Sequence, residues 1–229
     1  MVNWRKNATK IYKAIINNTN IHLSTDQTIR NIILKIRQCI AHYIRDKYEL
    51  EILAEENKNR TIAIEESLFT HINNRQVLVI GLIDTQSKDF RLVSSFTRDA
   101  SKLKKILRKF VKSGNTIISD SWPGYNWISE PISGYTHIIY NHGQGQFGFG
   151  NLSTSHIEQL WSVLKGLFKS IYISIPCEYF NLFLREIEWR YTISKKNDIQ
   201  KITDLCEIFD YISNTTNFNL YDLNSFDVV

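Results

Sequence analysis

The sequence predicts an α/β fold: a mixed sheet flanked by helices, with a short N-terminal helical segment ahead of it. Three observations carry that expectation. Short apolar runs rich in β-branched residues cluster between Thr61 and Phe96. Helical periodicity brackets them on both sides. A basic amphipathic stretch then separates these three strand candidates from two more. At 229 residues the chain has room for one full domain and a small appendage.

From Thr25 to about Ala54, Ile29, Ile32, Ile33, Ile36, Ile40, Tyr43 and Ile44 recur at three- and four-residue steps, which predicts a helix that Ser24 or Thr25 can cap. Polar residues from Glu55 to Arg60 read as a connector. Strands are predicted at Thr61–Ile64, Val77–Ile83 and Phe90–Phe96, with Glu65 and Glu66 ending the first. Asp99 to Ser113 reads as a helix with Leu103, Ile106, Leu107, Phe110 and Val111 on one face, ended by Gly114-Asn115. Thr116–Ser119 is a short buried strand ending at Asp120, and Tyr135–Tyr140 is another. A glycine-rich loop, Gly143 to Gly150, leads into a helix from about Thr154 to Lys169, and a long helix follows from about Cys177 to Ser194. The first three strands would be antiparallel, with the fourth and fifth joined beside the first. That is the element order of an RNase H-like fold, although periodicity by itself predicts only α/β.

Composition mainly excludes. With 43% hydrophobic and 22% charged residues, the chain is neither disordered nor collagen-like. No run approaches the roughly 18 to 20 apolar residues of a membrane span. Met1 to Lys6 contains no apolar core, so no secretory signal is expected. Cys39, Cys177 and Cys206 are too scattered for a cysteine-only zinc ribbon and suit a reducing compartment. The net charge of +5 permits a polyanionic partner without identifying one.

Three carboxylate positions stand out. Asp120 closes an apolar strand, and the carboxyl ends of strands line the ligand crevice of open α/β sheets; capping the next turn is an equally good account of it. Glu158 lies near the start of a helix whose apolar stripe is Ile157, Leu160, Trp161, Leu164 and Phe168, and Lys165 shares its face about two turns on. A solvated carboxylate at the favourable end of a helix dipole explains Glu158 as well. Strand alternation puts Ala63 and Glu65 on one face and Ile62, Ile64 and Glu66 on the other.

Taken in order, these segments resemble the ISXO-type insertion-sequence transposases and their eukaryotic Merlin relatives, from about Ile36 to Tyr191. Ile64-Glu65-Glu66-Ser67 through His71 is similar to the family's Ile-Asp-Glu-Ser segment, and Val79 to Ile83 to the strand after it. Ser119-Asp120-Ser121-Trp122-Pro123-Gly124-Tyr125 resembles its Ser-Asp-x-Trp-x-x-Tyr block. Gly134-Tyr135-Thr136-His137 with Asn141-His142 matches its Gly-Tyr-x-His and Asn-His stretch. Ser155 to Lys165 looks like its third-carboxylate helix, and Phe180 to Tyr191 like the helix that closes the domain.

The resemblance implies an RNase H-like DDE catalytic domain in which Glu65, Asp120 and Glu158 hold two Mg²⁺ or Mn²⁺ ions for DNA strand cleavage and strand transfer. Lys165 would be a DNA-facing catalytic cation, while Asn141, His142 and His156 would line the crevice or serve as ordinary structural hydrogen-bonding groups. DNA, as transposon ends and target, is the implied partner, with no membrane and with room for a homo-oligomer. Phosphate contacts are expected from Lys102, Lys104, Lys105, Arg108 and Lys109, or from Lys165 and Lys169, unless the first run is simply a solvated basic face. The expected divisions are an N-terminal helical remnant of a helix-turn-helix region at 1–56, the catalytic domain at 57–195 and a helical tail at 196–229. An intracellular location follows, nuclear in a eukaryote and otherwise cytoplasmic or nucleoid. Two departures, Glu for the family's Asp at position 65 and no zinc ligands ahead of the first helix, imply a truncated or decayed copy. The alternative is a catalytically inactive DNA-binding or interaction protein derived from such a transposase; an RNase H acting on RNA–DNA hybrids is disfavoured by the His156-Ile157-Glu158-x-x-Trp161 helix.

Overall fold

The computed structural model describes residues 25–50, 59–72, 75–141, 148–150, 152–170, 180–194 and 196–214. They fall into two compact units, one within Lys47–Val163 and the other drawn from Met1–Asp46 and Leu164–Phe226.

The first unit is built on a five-stranded sheet. Its elements are β1 (Thr61–Ile72), β2 (Arg75–Asp84), β3 (Phe90–Ser95), α2 (Ala100–Phe110), β4 (Thr116–Asp120) and β5 (Thr136–Tyr140). A small hairpin, β6 (Gly148–Phe149) with β7 (Leu152–Ser153), precedes the start of α3 (Ser155–Ser170). The strand order is β3-β2-β1-β4-β5. The β1–β2 and β2–β3 pairs are antiparallel, and the β1–β4 and β4–β5 pairs are parallel. That is the RNase H-like arrangement expected from the element order.

One expectation needs correction. Glu65 and Glu66 do not end the first strand, which runs twelve residues to Ile72. It continues because β2 stays opposite it, with Glu65 across from Gly81 and Ile72 across from Arg75, and a bulge between Leu68 and Thr70 takes up the odd residue. Between β4 and β5, where the sequence pattern predicts no element, the chain forms 3₁₀ turns at Pro123–Ser129 and Pro131–Ser133. Each is opened by a proline whose fixed φ suits a first helical position.

Alternation divides the sheet. On one face Ile62, Ile64, Ile80, Leu82 and Ile117 pack with Leu103, Ile106, Leu107 and Phe110 of α2. Burying each such side chain is worth about 1.5–3 kcal/mol. Asp99 caps α2 by accepting from the Ser101 N–H at 2.8 Å, and the helix stops at Phe110 as Val111 turns extended. The other face carries Ala63, Glu65 and Gly81. There a Cβ on Gly81 would lie 2.6 Å from the Trp161 ring and 3.4 Å from Ile157 Cδ1, so the indole of α3 rests directly on the β2 backbone.

The strand starts are tied together by one buried amide. Asn115, 1% exposed, accepts the Arg60 N–H at 2.9 Å and donates to the Lys112 carbonyl at 2.9 Å. Thr116 N donates to the Arg60 carbonyl at 2.9 Å, and Gly114, at φ +91°, makes the turn that presents it.

The second unit is helical: α1 (Asp26–Leu50) as far as Asp46, the last turns of α3, α4 (Phe180–Ser194) and α5 (Asp198–Asn214). Phe180, Leu182, Phe183, Leu184 and Ile187 of α4 are buried. Arg37 of α1 pairs with buried Glu186 and stacks 4.5 Å from the Phe183 ring centroid. Breaking such a buried pair from one side costs about 3–5 kcal/mol. Tyr43 meets Tyr211 of α5 edge-on at 5.7 Å and donates to Glu207 at 3.1 Å.

Asn115→Ala leaves the half-buried Arg60 N–H without its side-chain acceptor. The expected outcome is a loss of about 1–3 kcal/mol in urea unfolding, with slower-exchanging amides retained in β2 and β3 but lost at Arg60 and Thr116.

Candidate active site

The site grows from the middle of β1 and the carboxyl end of β4. Their parallel register runs Thr61 with Thr116, Ile62 with Ile117 and Ala63 with Ile118. Carried two residues further, the same register sets Asp120 beside Glu65, both starting from the face that α3 covers. The Glu65 carboxylate accepts from the Trp161 indole N–H at 2.8 Å, and Phe69 packs edge-on against the same ring at 5.8 Å. Trp161 follows Glu158 by three residues in α3, so this bond brings the first turns of α3 to β1. Glu158 itself accepts from the Thr154 hydroxyl at 3.2 Å, while the Thr154 carbonyl accepts the Ile157 and Glu158 N–H groups that open the helix. Strand register and indole bond therefore gather the elements bearing Glu65, Asp120 and Glu158.

The carboxylates are nevertheless turned to protein donors. Glu65 faces Trp161, Asp120 Oδ1 accepts the Trp122 N–H at 3.0 Å, and Glu158 faces Thr154. Among the described residues no three His, Cys, Asp or Glu side chains stand grouped as an ion cage. The capping account of Asp120 is correct as far as it goes, since that oxygen does hold the turn into Pro123.

Glu66 lies on the opposite face of β1 and sits in a network that sequence reasoning leaves without a role. Its side chain is 3% exposed, accepts Arg98 Nε–H at 2.8 Å and accepts the Tyr125 hydroxyl. Arg98 Nη2 reaches to 3.7 Å from Asp120 Oδ2, and its guanidinium stacks 4.1 Å from the Trp122 ring. Partial burial opposes the Arg98 charge, but the Glu66 bond and the charges of Glu66 and Asp120 outweigh it and raise its pKa. Burial, then the Glu66 charge and hydrogen bond, lift the Tyr125 phenol well above 10.0. The sequence signals for this network are Glu66 in the Ile-Asp-Glu-Ser-like segment and Asp120, Trp122 and Tyr125 in the Ser-Asp-x-Trp-x-x-Tyr-like block; Arg98, in the loop after β3, carries none.

The remaining candidates divide. His156 Nε2 lies 3.0 Å from Lys88 Nζ, so its ring makes a local hydrogen bond. His137 sits between the Ser119 and Ser129 hydroxyls, at 2.8 and 2.7 Å, and burial lowers its pKa. Ser119 donates its own hydrogen to the Asp120 carbonyl, so it accepts from His137 Nε2–H. Asn141 follows β5 and is half-buried, and His142 lies outside the described residues. Lys165 and Lys169 are exposed, in the turns of α3 that belong to the helical unit. On α2, Lys105, Arg108 and Lys109 are exposed, while Lys104 leans over the Trp127 ring at 5.3 Å.

Residues 43–192 match the family model described as the ISXO2-like transposase domain. The chain belongs to the ISXO2-like transposase family. The match spans the whole sheet, all of α3 and most of α4, so the domain is of the transposase type. No curated protein matches the chain. Among solved structures it is similar to a chain of the simian T-cell lymphotropic virus intasome determined with PP2A regulatory subunit B56 gamma, at 16% identity and a TM-score of 0.42. That likeness covers 58% of this chain and 48% of the other, so the chain spans about half of that relative's length. It is also similar to the HTLV-2 integrase catalytic core domain in complex with magnesium. The dimeric form gives 10% identity, TM-score 0.43 and coverage of 58% and 86%; the trimeric form gives 11%, 0.41 and coverage of 58% and 84%. The assignment rests on the family match and the strand order, to which likenesses this distant add nothing. Among the described residues of this transposase-family domain, no helix is long and apolar enough to cross a membrane.

The Tyr125 shift has a pH consequence. A phenol pKa raised in the folded state means the folded chain holds that proton more tightly than the unfolded chain does. Its stabilising contribution is complete below the ordinary value of 10.0 and is lost as pH rises above it. Alkaline unfolding should therefore steepen above that pH in the wild type and be shallower in Tyr125→Phe, as followed by circular dichroism.

Proposed function

We propose that this domain cuts and joins DNA by metal-dependent phosphoryl transfer, with Glu65, Asp120 and Glu158 as the carboxylates that hold the metal. The observation that supports this reading is the parallel β1–β4 register of Thr61 to Ala63 against Thr116 to Ile118, which, continued two residues, brings Glu65 in the middle of β1 opposite Asp120 at the carboxyl end of β4. The indole bond from Trp161 to Glu65, on the helix that bears Glu158, supports the third member. Carboxylate oxygens are the donors that Mg²⁺ and Mn²⁺ prefer, so the residue set fits. Bound there, two such ions would activate the attacking oxygen and stabilise the leaving one.

The chain's own groups do the positioning. The Trp122 N–H fixes one oxygen of Asp120 and leaves the other toward Arg98. The Thr154 hydroxyl holds Glu158 in the first turn of α3. The extra methylene of Glu65, relative to the Asp of the resembling transposases, lets its carboxylate reach the Trp161 indole. That reach also favours a second reading, a domain that has lost cleavage and keeps the fold for DNA binding or another interaction, because Glu65 is then engaged by protein rather than by metal.

Glu65→Asp separates the two. Misplacing a catalytic group by about 1 Å costs roughly a hundredfold in rate, so restoring the shorter side chain should raise nicking of supercoiled plasmid about tenfold or more. The gain should be larger in Mn²⁺ than in Mg²⁺, which demands near-ideal octahedral geometry. Asp120→Asn in the same background should abolish it. Equal cleavage by wild type and Glu65→Asp would make Glu a competent ligand; no cleavage by either, with Mn²⁺ and DNA still bound, would establish the second reading.

DNA binding should be tolerant of sequence and fall steeply with salt, because neutralised phosphates release counterions. Replacing Lys105, Arg108 and Lys109 together by Ala should lower the slope of log affinity against log salt by roughly one for each phosphate that is no longer neutralised. An unchanged slope would mark that face of α2 as merely solvated.

A further inference from the structure

Arg98 holds a guanidinium at the mouth of the site in an orientation fixed before any substrate arrives. Its backbone is anchored on both sides. Ser95 Oγ bonds the Thr97 carbonyl at 2.7 Å and accepts the Thr97 N–H at 3.2 Å, and Asp99 caps α2 immediately after. The guanidinium is then gripped twice, by Glu66 on its Nε edge at 2.8 Å and by Trp122 against its face at 4.1 Å. Its Nη2 lies 3.7 Å from Asp120 Oδ2, longer than a hydrogen bond. The Arg98 side chain is 43% exposed, whereas its Glu66 partner is 3% exposed.

A counter-ion meant only for Asp120 would be expected to close on it, as the same guanidinium closes on Glu66. Instead Nη2 stops 3.7 Å short of the carboxylate, on a side chain that keeps 43% of its surface exposed. A planar fork with its edge and face already held gives up little further freedom on binding, and it matches the oxygens of a phosphate. A DNA phosphate approaching Asp120 would also meet that negative charge, and Arg98 is the cation standing beside it.

We propose that Arg98 binds a phosphate of the DNA strand next to Asp120; the assignment rests on the reading of Glu65, Asp120 and Glu158 as the reacting centre. Arg98 is thus a substrate-contacting residue supplied by the loop between β3 and α2, and Glu66, Tyr125 and Trp122 are its positioning residues.

The test uses the full chain with a short fluorescein-labelled duplex in EDTA, so that neither metal nor cleavage enters. Anisotropy is read across a salt series for wild type, Arg98→Lys, the double variant Arg98→Met with Glu66→Gln, and Asp120→Asn. The double variant avoids leaving a buried unpaired carboxylate, and a thermal melt confirms that each variant folds. The double variant should bind about tenfold more weakly, with a salt slope lower by about one. Arg98→Lys, which keeps the charge and loses the fork, should weaken binding severalfold without changing the slope. Asp120→Asn should bind as well as wild type or better. Should the double variant not fold, Arg98→Lys decides: wild-type affinity in that variant overturns the assignment. Unchanged affinity and slope in the double variant overturn it too, and leave Arg98 as a counter-ion of Asp120. Wild-type DNA binding with no cleavage in Mn²⁺ by either the wild type or Glu65→Asp would defeat the metal-dependent reading alone. Unaltered binding by the Arg98 variants of a chain that does cleave would defeat this one alone.

Discussion

Everything distinctive about the sheet unit depends on the register in which β1 meets β4. Only three residue pairs define it, Thr61 to Ala63 against Thr116 to Ile118. A slip of one residue would turn Asp120 to the α2 face and leave Glu65 without a neighbour on its own face. So short a ladder is weak as a specification, and the chain reinforces it at the opposite end. The Asn115 amide, buried and bonded at both ends, holds Arg60 and Lys112 at the entrance to the two strands. A polar group at one edge of the sheet thereby sets the alignment of acidic groups at the other.

The two faces of β1 are put to different uses. Glu65 looks to α3 and its indole; Glu66, one residue on, looks to Arg98 and Tyr125. Adjacent carboxylates that would repel one another in an extended, solvated strand are separated by the sheet itself, each with its own donor. Arg98 pairs with Glu66 and also reaches to 3.7 Å from Asp120 at the end of β4. Charge at this corner is only partly offset within the unit: two carboxylates share one guanidinium, with a buried phenol supplying a further hydrogen bond.

The fold was largely legible because each element announces itself locally. Leu103, Ile106, Leu107 and Phe110 fix α2 by spacing, and the β-branched runs fix the strands and their order. The length of β1 was not legible, because Glu65-Glu66-Ser67 breaks the apolar alternation and only the partner strand keeps that segment extended. The candidate carboxylates Glu65, Asp120 and Glu158 stand out by position and by resemblance, whereas Arg98 does not. Its importance comes from contacts with residues 32 positions before it and 22 and 24 after it, Glu66, Asp120 and Trp122, and no local pattern encodes such separations. The two units also divide α3 between them, a partition that helical periodicity, continuous from Ser155 to Ser170, does not reveal.

The absence of a side chain at Gly81 links packing to chemistry across generations of sequence change. The indole of Trp161 occupies the volume a Cβ would take, and the same indole is the donor to Glu65. Drift at position 81 toward anything larger is compatible with this architecture only if position 161 shrinks, and a smaller residue there deprives position 65 of its hydrogen bond. The sizes of the residues at 81 and 161 should therefore vary together, and the indole's hydrogen bond to position 65 goes with them.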